Sequence, residues 1–290
     1  SLPAALDQPV LHAAARPPGP VSYADGSMPG PAWESVVAEA VDRIRGGALD
    51  KVVLARDLIA TAEHPIDVRW LVRQLAGAYD RCWTYLVDGL VGASPEMLVR
   101  RESGLVTSRV LAGTIQRTAD SDMDRILAAH LSRSSKDLGE HEYAVASVAQ
   151  ALAPFCSGMN VPDAPYVLEL PNVFHLATDV TAVAKPGASS LALADALHPT
   201  AAVCGTPTEA ARALIRELEG LDRGRYSGPV GWIDAKGDGE WAIALRCGRI
   251  DGNTAQLYAG CGVVAGSDPE SELTESIAKL VPMRDALEAD

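Results

Sequence analysis

Residues 229–264 read PVGWIDAKGDGEWAIALRCGRIDGNTAQLYAGCGVV, and this stretch indicates the fold class. Apolar residues dominate three strand-like runs within it, which cover 229–234, 240–250 and 254–264. Two turn sequences, Gly237-Asp238-Gly239 and Asp251-Gly252-Asn253, separate the runs. Because parallel strands need a connection of about a dozen residues or more, turns this short predict antiparallel pairing.

The chain on either side mixes helical and strand-like patterns. Upstream, apolar residues between Trp33 and Ile44 recur at helical spacing, and the short apolar run Lys51–Arg56 has the composition of a strand. Downstream, Ser267–Glu270 has the form of a capping box, which predicts the start of a helix. We therefore predict one α+β domain with large antiparallel β-sheets.

Composition excludes several classes of protein. The chain has 290 residues, of which 48% are apolar, and a formal net charge of −13. The apolar share is enough for a buried core, and the acidic surface argues against nucleic-acid binding. The same charge argues against binding to an anionic membrane surface. No apolar run approaches the roughly 20 residues that span a bilayer. We expect neither a nucleic-acid partner nor a membrane.

The N-terminal segment differs from the rest. Residues 1–32 carry seven prolines and little periodicity, so we expect an irregular segment there and the folded domain at 33–290. Five cysteines are scattered along the chain without a Cys-x-x-Cys pair. This pattern is typical of the reducing cytoplasm and not of a disulfide scaffold or a zinc site.

Two pairs of carboxylates have the same spacing. Asp137 and Glu140 lie three residues apart in one predicted helix, and Glu272 and Glu275 repeat the spacing in another. Residues at i and i+3 share a helix face, so two such faces would form the oxygen-rich pocket that Mg²⁺ prefers. Solvated faces of an acidic protein would show the same spacing, and spacing alone leaves both interpretations open.

Two further charged residues adjoin apolar strands. Lys51 opens an apolar strand, and a lysine in a low-dielectric site can lose its proton near neutral pH and act as a base. Glu96 ends the turn sequence Gly92–Glu96, where it would be a positioned acid. The alternatives are a strand-end lysine whose charge reaches solvent and a simple turn carboxylate.

Taken in order, these pieces resemble the chorismate-utilising enzymes, most closely the isochorismate synthases among them. The resemblance runs from about residue 33 to the C-terminus and makes 33–290 a chorismate-binding catalytic domain. It implies large antiparallel β-sheets that pack as a sandwich with helices outside. Family members carry a longer N-terminal portion than residues 1–32 supply. The matching segments are KVVLAR (51–56), GASPE (92–96), LAGT (111–114), KDLGEH (136–141), HPTAAVCG (198–205), RYSGPVG (225–231), AIALR (242–246), AGCG (259–262) and SDPESELTE (267–275).

The resemblance also implies a role for each matched residue. Chorismate carries two carboxylates, and a metal ion allows an acidic protein to bind it. Glu140 and Glu275 would bind Mg²⁺, with support from Asp137 and Glu272. Lys51 would activate water as the base, and Glu96 would be the acid. The substrate would contact Gly113, Thr114, His198, Tyr226, Arg246, Gly262 and Lys279.

The implied reaction is an isomerisation of chorismate to isochorismate, with Mg²⁺ as cofactor, water attack at C2 and loss of the C4 hydroxyl. Salicylate synthases share Lys51 and Glu96 and also eliminate pyruvate, so they remain the alternative. The intact pair disfavours a catalytically silent chorismate-binding subunit. Aminodeoxychorismate synthases carry a lysine where this chain has Ala112, and anthranilate synthases generally lack Lys51.

The resemblance also suggests a cytoplasmic monomer that hands isochorismate to a downstream enzyme. It does not choose among menaquinone, salicylate and catechol siderophore pathways, which all use this product.

Overall fold

The computed structural model describes residues 14–118 and 120–289 and forms strands and helices that alternate along the chain. The strands of this part of the chain are β1 (Val21–Asp25), β2 (Lys51–Ala62), β3 (Trp83–Val87), β4 (Leu90–Ser94), β5 (Met97–Glu102), β6 (Leu105–Gln116), β7 (Cys156–Asn160), β8 (Tyr166–Glu169), β9 (Val173–Ala184), β10 (Gly205–Thr206), β11 (Pro229–Ile233), β12 (Gly239–Ile243), β13 (Cys247–Asp251) and β14 (Thr254–Val264). Its helices are α1 (Gly30–Arg45), α2 (Val68–Ala78), α3 (Ser121–Leu131), α4 (Ser135–Leu152), α5 (Ser190–Leu197), α6 (Thr208–Leu218) and α7 (Pro269–Glu288).

The strands form two seven-stranded sheets in which the pairings are antiparallel. The first sheet has the order β1-β2-β14-β13-β4-β3, with β10 also paired to β2. The second has the order β11-β12-β5-β6-β9-β7, with β8 also paired to β9. The predicted α+β fold with large antiparallel sheets is confirmed.

Helices cover both sheets. On the first sheet, α7 packs against β14 and also contacts α1 and α2, while α6 packs on β2. On the second sheet, α4 packs against β6 and β9, and α5 lies against β5 and β12. No helix of the described residues has both the length and the apolar character needed to cross a bilayer.

The chain passes between the two sheets at two adjacent connections. Pro95-Glu96 joins β4 of the first sheet to β5 of the second, and residues 244–246 join β12 of the second sheet to β13 of the first. The connections are hydrogen-bonded to each other: Ala93 N donates to the Arg246 carbonyl at 3.3 Å, and Ile243 N donates to the Glu96 carbonyl at 3.1 Å. The expected continuous strand over 240–250 is therefore wrong, because the chain changes sheets within it.

Alternate side chains at the start of β2 point into the hydrophobic core and into a cavity. Val52 and Leu54 pack in a buried cluster with Trp33 of α1, whereas Lys51 and Val53 face the opposite side and line a cavity. Successive side chains of a strand point to opposite faces, so this register alone turns Lys51 inward. The exposed fraction of Lys51 is 5%.

The expectation of an irregular segment at 1–32 needs correction within the described residues. Val21–Asp25 forms strand β1, which pairs with Leu58–Ala62 at the C-terminal end of β2. Helix α1 begins at Gly30 and has a proline in its first turn. The prolines did not exclude a helix start, because proline suits the first helical turn. Strand β1 gave no local signal, because its partner strand lies far away in the sequence. Residues 1–13 lie outside the described part of the chain, and the domain boundary at residue 33 stays a prediction.

Candidate functional site

A cavity of about 140 Å³ lies where β2 and β14 of the first sheet face β6 and β9 of the second, beside α4 and α7. We call it the central cavity. All the site residues predicted from the sequence line it except His198. Those residues are Lys51, Glu96, Gly113, Thr114, Asp137, Glu140, Tyr226, Arg246, Gly262, Glu272, Glu275 and Lys279.

The predicted carboxylate pairs meet in this cavity. Asp137 and Glu140 reach it from α4, and Glu272 and Glu275 reach it from α7. Ligand atoms of Glu272, Glu275 and the Cys261 thiol lie within 4.8 Å of one another. Burial raises the pKa of the Cys261 thiol well above its usual range, and the carboxylates supply the oxygen donors of this set. This oxygen-rich set fits a hard divalent cation such as Mg²⁺.

Two lysines neutralise two of these carboxylates. Lys51 Nζ donates to Glu140 Oε1 at 2.7 Å, and Lys279 Nζ lies 2.5 Å from Glu275 Oε1. Lys279 also donates to the carbonyl of Gly260 at 2.9 Å. Burial opposes the charge on Lys279, but Glu275 and Cys261 together outweigh burial and raise the pKa of the ammonium. Two of the four carboxylates therefore have a lysine as their partner.

Gly262 makes room for the ion pair of Lys51 and Glu140. A Cβ at this position would lie 2.8 Å from Glu140 Oε1 and 2.9 Å from Lys51 Cε. Real Cβ atoms essentially never show contacts this short, so a side chain would displace the pair. Glycine therefore leaves both side-chain ends in place, and its backbone conformation here is an ordinary one.

Glu96 is a deeply buried carboxyl group of the central cavity. It sits in the connection between the two sheets and has an exposed fraction of 6%. Burial raises its pKa to about 8, although Lys51, Lys279 and Arg246 act in the opposite direction. Glu96 therefore holds a proton near pH 7 and can act as a proton donor.

Arg246 occupies the other connection, with a backbone φ of 51°. This left-handed conformation is unusual for a residue with a side chain, and such strain concentrates at functional sites. The guanidinium is buried, and its Nη2 lies 3.1 Å from His175 Nε2. A buried planar guanidinium with donors to spare suits a carboxylate ligand.

His175 connects Arg246 to Thr114. Burial, together with the charges of Arg246 and Lys279, lowers the pKa of His175 well below its usual range, so the ring is neutral. Because arginine can only donate, Nε2 of His175 accepts, and its Nδ1 carries the hydrogen that reaches Thr114 Oγ1 at 3.0 Å. This chain of bonds orients the guanidinium.

A bulge in β6 shapes the wall near Thr114. The register between β6 and β9 shifts between Ala112 and Thr114, and Gly113 between them has a φ of +77°. A Cβ on Gly113 would lie 3.0 Å from the Cβ of Asp137. Glycine thus permits both the bulge and the close approach of α4.

Two stacked tyrosines also line the central cavity. The rings of Tyr226 and Tyr258 lie 5.0 Å apart at an interplanar angle of 12°. Burial raises the pKa of Tyr226, so its hydroxyl stays protonated and remains a donor. Ser227 follows with a φ of 61°, and its backbone N–H donates to the Ala244 carbonyl at 2.9 Å. This bond ties the tyrosine segment to the connection that carries Arg246.

Two histidines differ from their sequence-based assignments. His198, expected beside the substrate ring, does not line the central cavity but an adjoining one, because the chain turns away after α5. His175, which is not among the predicted site residues, lines the central cavity. His141 is in the core, where its Nε2 lies 2.7 Å from Thr178 Oγ1. Every residue around His175 in β9 is buried, so alternation of polar and apolar residues gave no signal for it.

Comparison with known proteins identifies similar chains. The model of the family described as "Chorismate binding enzyme" matches residues 9–288. Isochorismate synthase DhbC of Bacillus subtilis is 42% identical over 270 residues, which cover 89% of this chain and 68% of DhbC. Isochorismate synthase MenF of the same organism is 39% identical over 259 residues, which cover 88% of this chain and 55% of MenF. The chain thus spans between about half and two thirds of these relatives.

A solved structure agrees with these matches. The crystal structure of DhbC from Bacillus anthracis aligns with a TM-score of 0.90 at 40% identity. The alignment covers 94% of this chain and 75% of that one. Sequence and fold therefore point to the same group of proteins.

Proposed function

Because this chain belongs to the chorismate-binding enzymes, we propose that it is an isochorismate synthase that uses Mg²⁺ to convert chorismate into isochorismate. The observation that carries the proposal is the protonated Glu96 in the same cavity as Lys51, since the reaction needs a base and an acid together. Sequence similarity to isochorismate synthases supports the same assignment.

Substrate binding relies on the cations of the cavity. Arg246 and the Tyr226 hydroxyl would hold the enolpyruvyl carboxylate, where a guanidinium oriented by His175 matches a planar anion. Lys279 and the backbone at Gly262 would contact a carboxylate. The Gly113 backbone and Thr114 would line the ring. Each of these groups is already buried or held by a partner, so little ordering is needed on binding.

Proton transfer involves the two catalytic candidates. Lys51 would accept a proton from the water whose oxygen bonds to C2, and both ring double bonds shift as the C4–O bond breaks. Glu96 would donate its proton to the departing C4 hydroxyl, which leaves as water. The proton on Glu96 near pH 7 is the form that this role requires. Lys51 donates a hydrogen bond to Glu140 in this structure. To act as a base it must be neutral, and Glu140 then needs another cationic partner.

Glu140 and Glu275 would hold the metal ion, with Asp137 and Glu272 beside them. Bound there, Mg²⁺ would supply positive charge for the ring carboxylate and orient the ring. The four carboxylates line one cavity, and this oxygen-rich set supports a hard cation.

Salicylate synthase activity is the second candidate, because it needs the same acid, base and carboxylates. The relatives named isochorismate synthase make it less supported. A silent binding subunit is disfavoured because Lys51 and Glu96 share the central cavity. Ala112 lines that cavity without an amine, which argues against an aminodeoxychorismate product.

Incubation with chorismate and Mg²⁺, followed by chromatographic identification of products, tests the proposal. We expect isochorismate as the product. Accumulation of salicylate and pyruvate in step with chorismate loss would favour the salicylate synthase alternative. Binding of chorismate without any turnover would favour the silent subunit.

We further propose that the protein acts as a cytoplasmic monomer and passes isochorismate to a downstream enzyme. The described cysteines are free, which supports a reducing compartment. Gel filtration tests the monomer, and addition of a purified isochorismate-consuming enzyme tests whether the product is released into solution.

A further inference from the structure

A second cavity adjoins the central one. It has a volume of about 680 Å³ and lies between α6, the end of α5 and the segment that precedes β11. Val203, Arg223 and Ser227 line both cavities, so the two share a wall. We call this second cavity the antechamber. It receives His198, the one predicted site residue that does not line the central cavity.

The central cavity is deeply enclosed. Glu96, His175 and Arg246 have exposed fractions of 6%, 5% and 8%. A substrate with two carboxylates must nevertheless enter and leave, and it must do so in a protein whose net charge is −13. An anion approaching such a surface is repelled unless its route carries local positive charge.

The antechamber carries that charge. Arg212 and Arg216 lie one turn apart on α6 and both line it, while Ala211 and Leu214 turn to the buried core. The carboxylate nearest to Arg212, that of Glu209, is 3.6 Å away and largely exposed. Arg216 forms no ion pair with any residue of 14–118 or 120–289. Both guanidinium groups can therefore attract an incoming anion.

The acidic residues of the antechamber do not cancel this charge. Glu219 is buried, accepts the Ala55 N–H at 2.8 Å and receives two hydrogen bonds of 2.6 Å from Arg223. Asp222 accepts the Gly224 N–H at 2.9 Å on the exposed side. Burial and the nearby Arg212 lower the pKa of His198, so its ring is neutral near pH 7. Among the residues that line the antechamber, three arginines outnumber two carboxylates, so the lining keeps a net positive charge near pH 7.

Arg223 stands at the shared wall. Besides its bonds to Glu219, it donates to the carbonyls of Val203 at 2.9 Å and Val53 at 2.8 Å. It therefore joins β2 to the segment that separates the two cavities. Its charge is paired with that of Glu219, so Arg223 holds this boundary in place, and the attraction for an anion comes from the arginines of α6.

We infer that the antechamber is the entry route for the dianionic substrate, and that Arg212 and Arg216 steer it toward the central cavity. This inference rests on the proposed function for the identity of the substrate. Steering of this kind raises association rates by about 10- to 10³-fold and weakens steeply with salt. The arginines act on arrival and not on the chemical step.

A charge placed chemically at one position tests the inference. In Arg216→Cys, the thiol is modified with sulfonatoethyl or with trimethylammonioethyl methanethiosulfonate, which add groups of similar size and opposite charge. Four of the native cysteines are buried and Cys82 is partly so, and unsubstituted protein treated with each reagent controls for them. Arg125→Cys, at an exposed arginine that lines neither cavity, is the matched control.

We expect the anionic adduct to lower kcat/KM for chorismate about tenfold relative to the cationic adduct at low ionic strength, with the loss in kcat/KM and not in kcat. The difference should shrink in high salt, and the Arg125→Cys adducts should differ little. Equal values for the two adducts of Arg216→Cys would overturn the inference. Turnover by unmodified protein is measured first. If there is no turnover, the proposed function is wrong. If turnover occurs but does not depend on the charge of the adduct, only the inference about the antechamber is wrong.

A paired substitution gives an independent check. Arg212→Glu with Arg216→Glu should lower kcat/KM more than Arg100→Glu with Arg125→Glu, which changes the net charge equally at exposed positions outside both cavities. Equal losses in the two double variants would show that only total charge matters and would also overturn the inference.

Discussion

The ammonium of Lys51 lies 2.7 Å from Oε1 of Glu140 and joins the first residue of β2 to helix α4. The proposed base and a proposed metal ligand are thus partners in one buried ion pair. Removal of one member of such a pair leaves the other charge uncompensated in a medium that solvates it poorly. The base and the metal site are therefore coupled through this contact.

Lys51→Ala should lower kcat by at least about 10²-fold, because a general base typically contributes 10²- to 10⁴-fold. Chorismate should still bind, since Arg246 and Lys279 supply the proposed carboxylate contacts. Product formation is followed by chromatography and binding by calorimetry. Lys236→Ala, at an exposed turn, is the control. A Lys51→Ala enzyme within a few-fold of the unsubstituted protein would mean that another group activates the water.

Glu96→Gln should also lose at least about 10²-fold in kcat, because the amide keeps the shape but has no acidic proton. In the unsubstituted protein, burial raises the pKa of Glu96 to about 8. The active protonated form therefore persists at pH 7 and is lost as the pH rises through about 8. The pH profile of kcat/KM should fall on that side. Activity that stays flat up to pH 10 would contradict the role of Glu96.

Gly262→Ala should lower kcat while the fold is retained, because the new methyl group would lie within 3 Å of Glu140 and Lys51 and displace the ends of both side chains. Gly266→Ala is the matched control in the same segment, since a Cβ there meets no atom within 4 Å. Circular dichroism checks the fold of both variants, and chorismate turnover measures the effect. Equal activity of the two variants would show that the pair tolerates displacement.

The metal prediction concerns Glu275. Chelator should remove activity, and added Mg²⁺ should restore it. Glu275→Gln should weaken Mg²⁺ binding in calorimetry, because a neutral amide replaces a charged oxygen ligand. Glu270→Gln, at an exposed position in the first turn of the same helix, should bind Mg²⁺ normally. Full activity in excess chelator would exclude a metal requirement.

The nucleophile should be water and not ammonia. Ala112 leaves this part of the cavity without an amine, and Lys51 is present to activate water. Chorismate supplied with ammonium should therefore give isochorismate and neither anthranilate nor an aminodeoxy product, as measured by chromatography. Either amino product as the main one would move the chain to another branch of the family.

Local sequence was enough to predict the fold class and most of the residues that line the central cavity. The turns Gly237-Asp238-Gly239 and Asp251-Gly252-Asn253 allow only antiparallel neighbours, and the structure has two antiparallel sheets. The i, i+3 spacing placed Glu272 and Glu275 on one helix face, which the structure turns toward the central cavity. These features depend on residues a few positions apart, so a sequence reveals them directly.

Tertiary structure decided what depends on distant partners. Strand β1 exists because β2 is available to pair with it, and the change of sheet at Arg246 is invisible in a run of apolar residues. His175 lines the central cavity and His198 the antechamber, and neither pattern nor spacing encodes which cavity a side chain enters. The raised pKa of Glu96 arises from burial by both sheets. Burial and long-range pairing are sums over the whole fold, and no short stretch of sequence contains them.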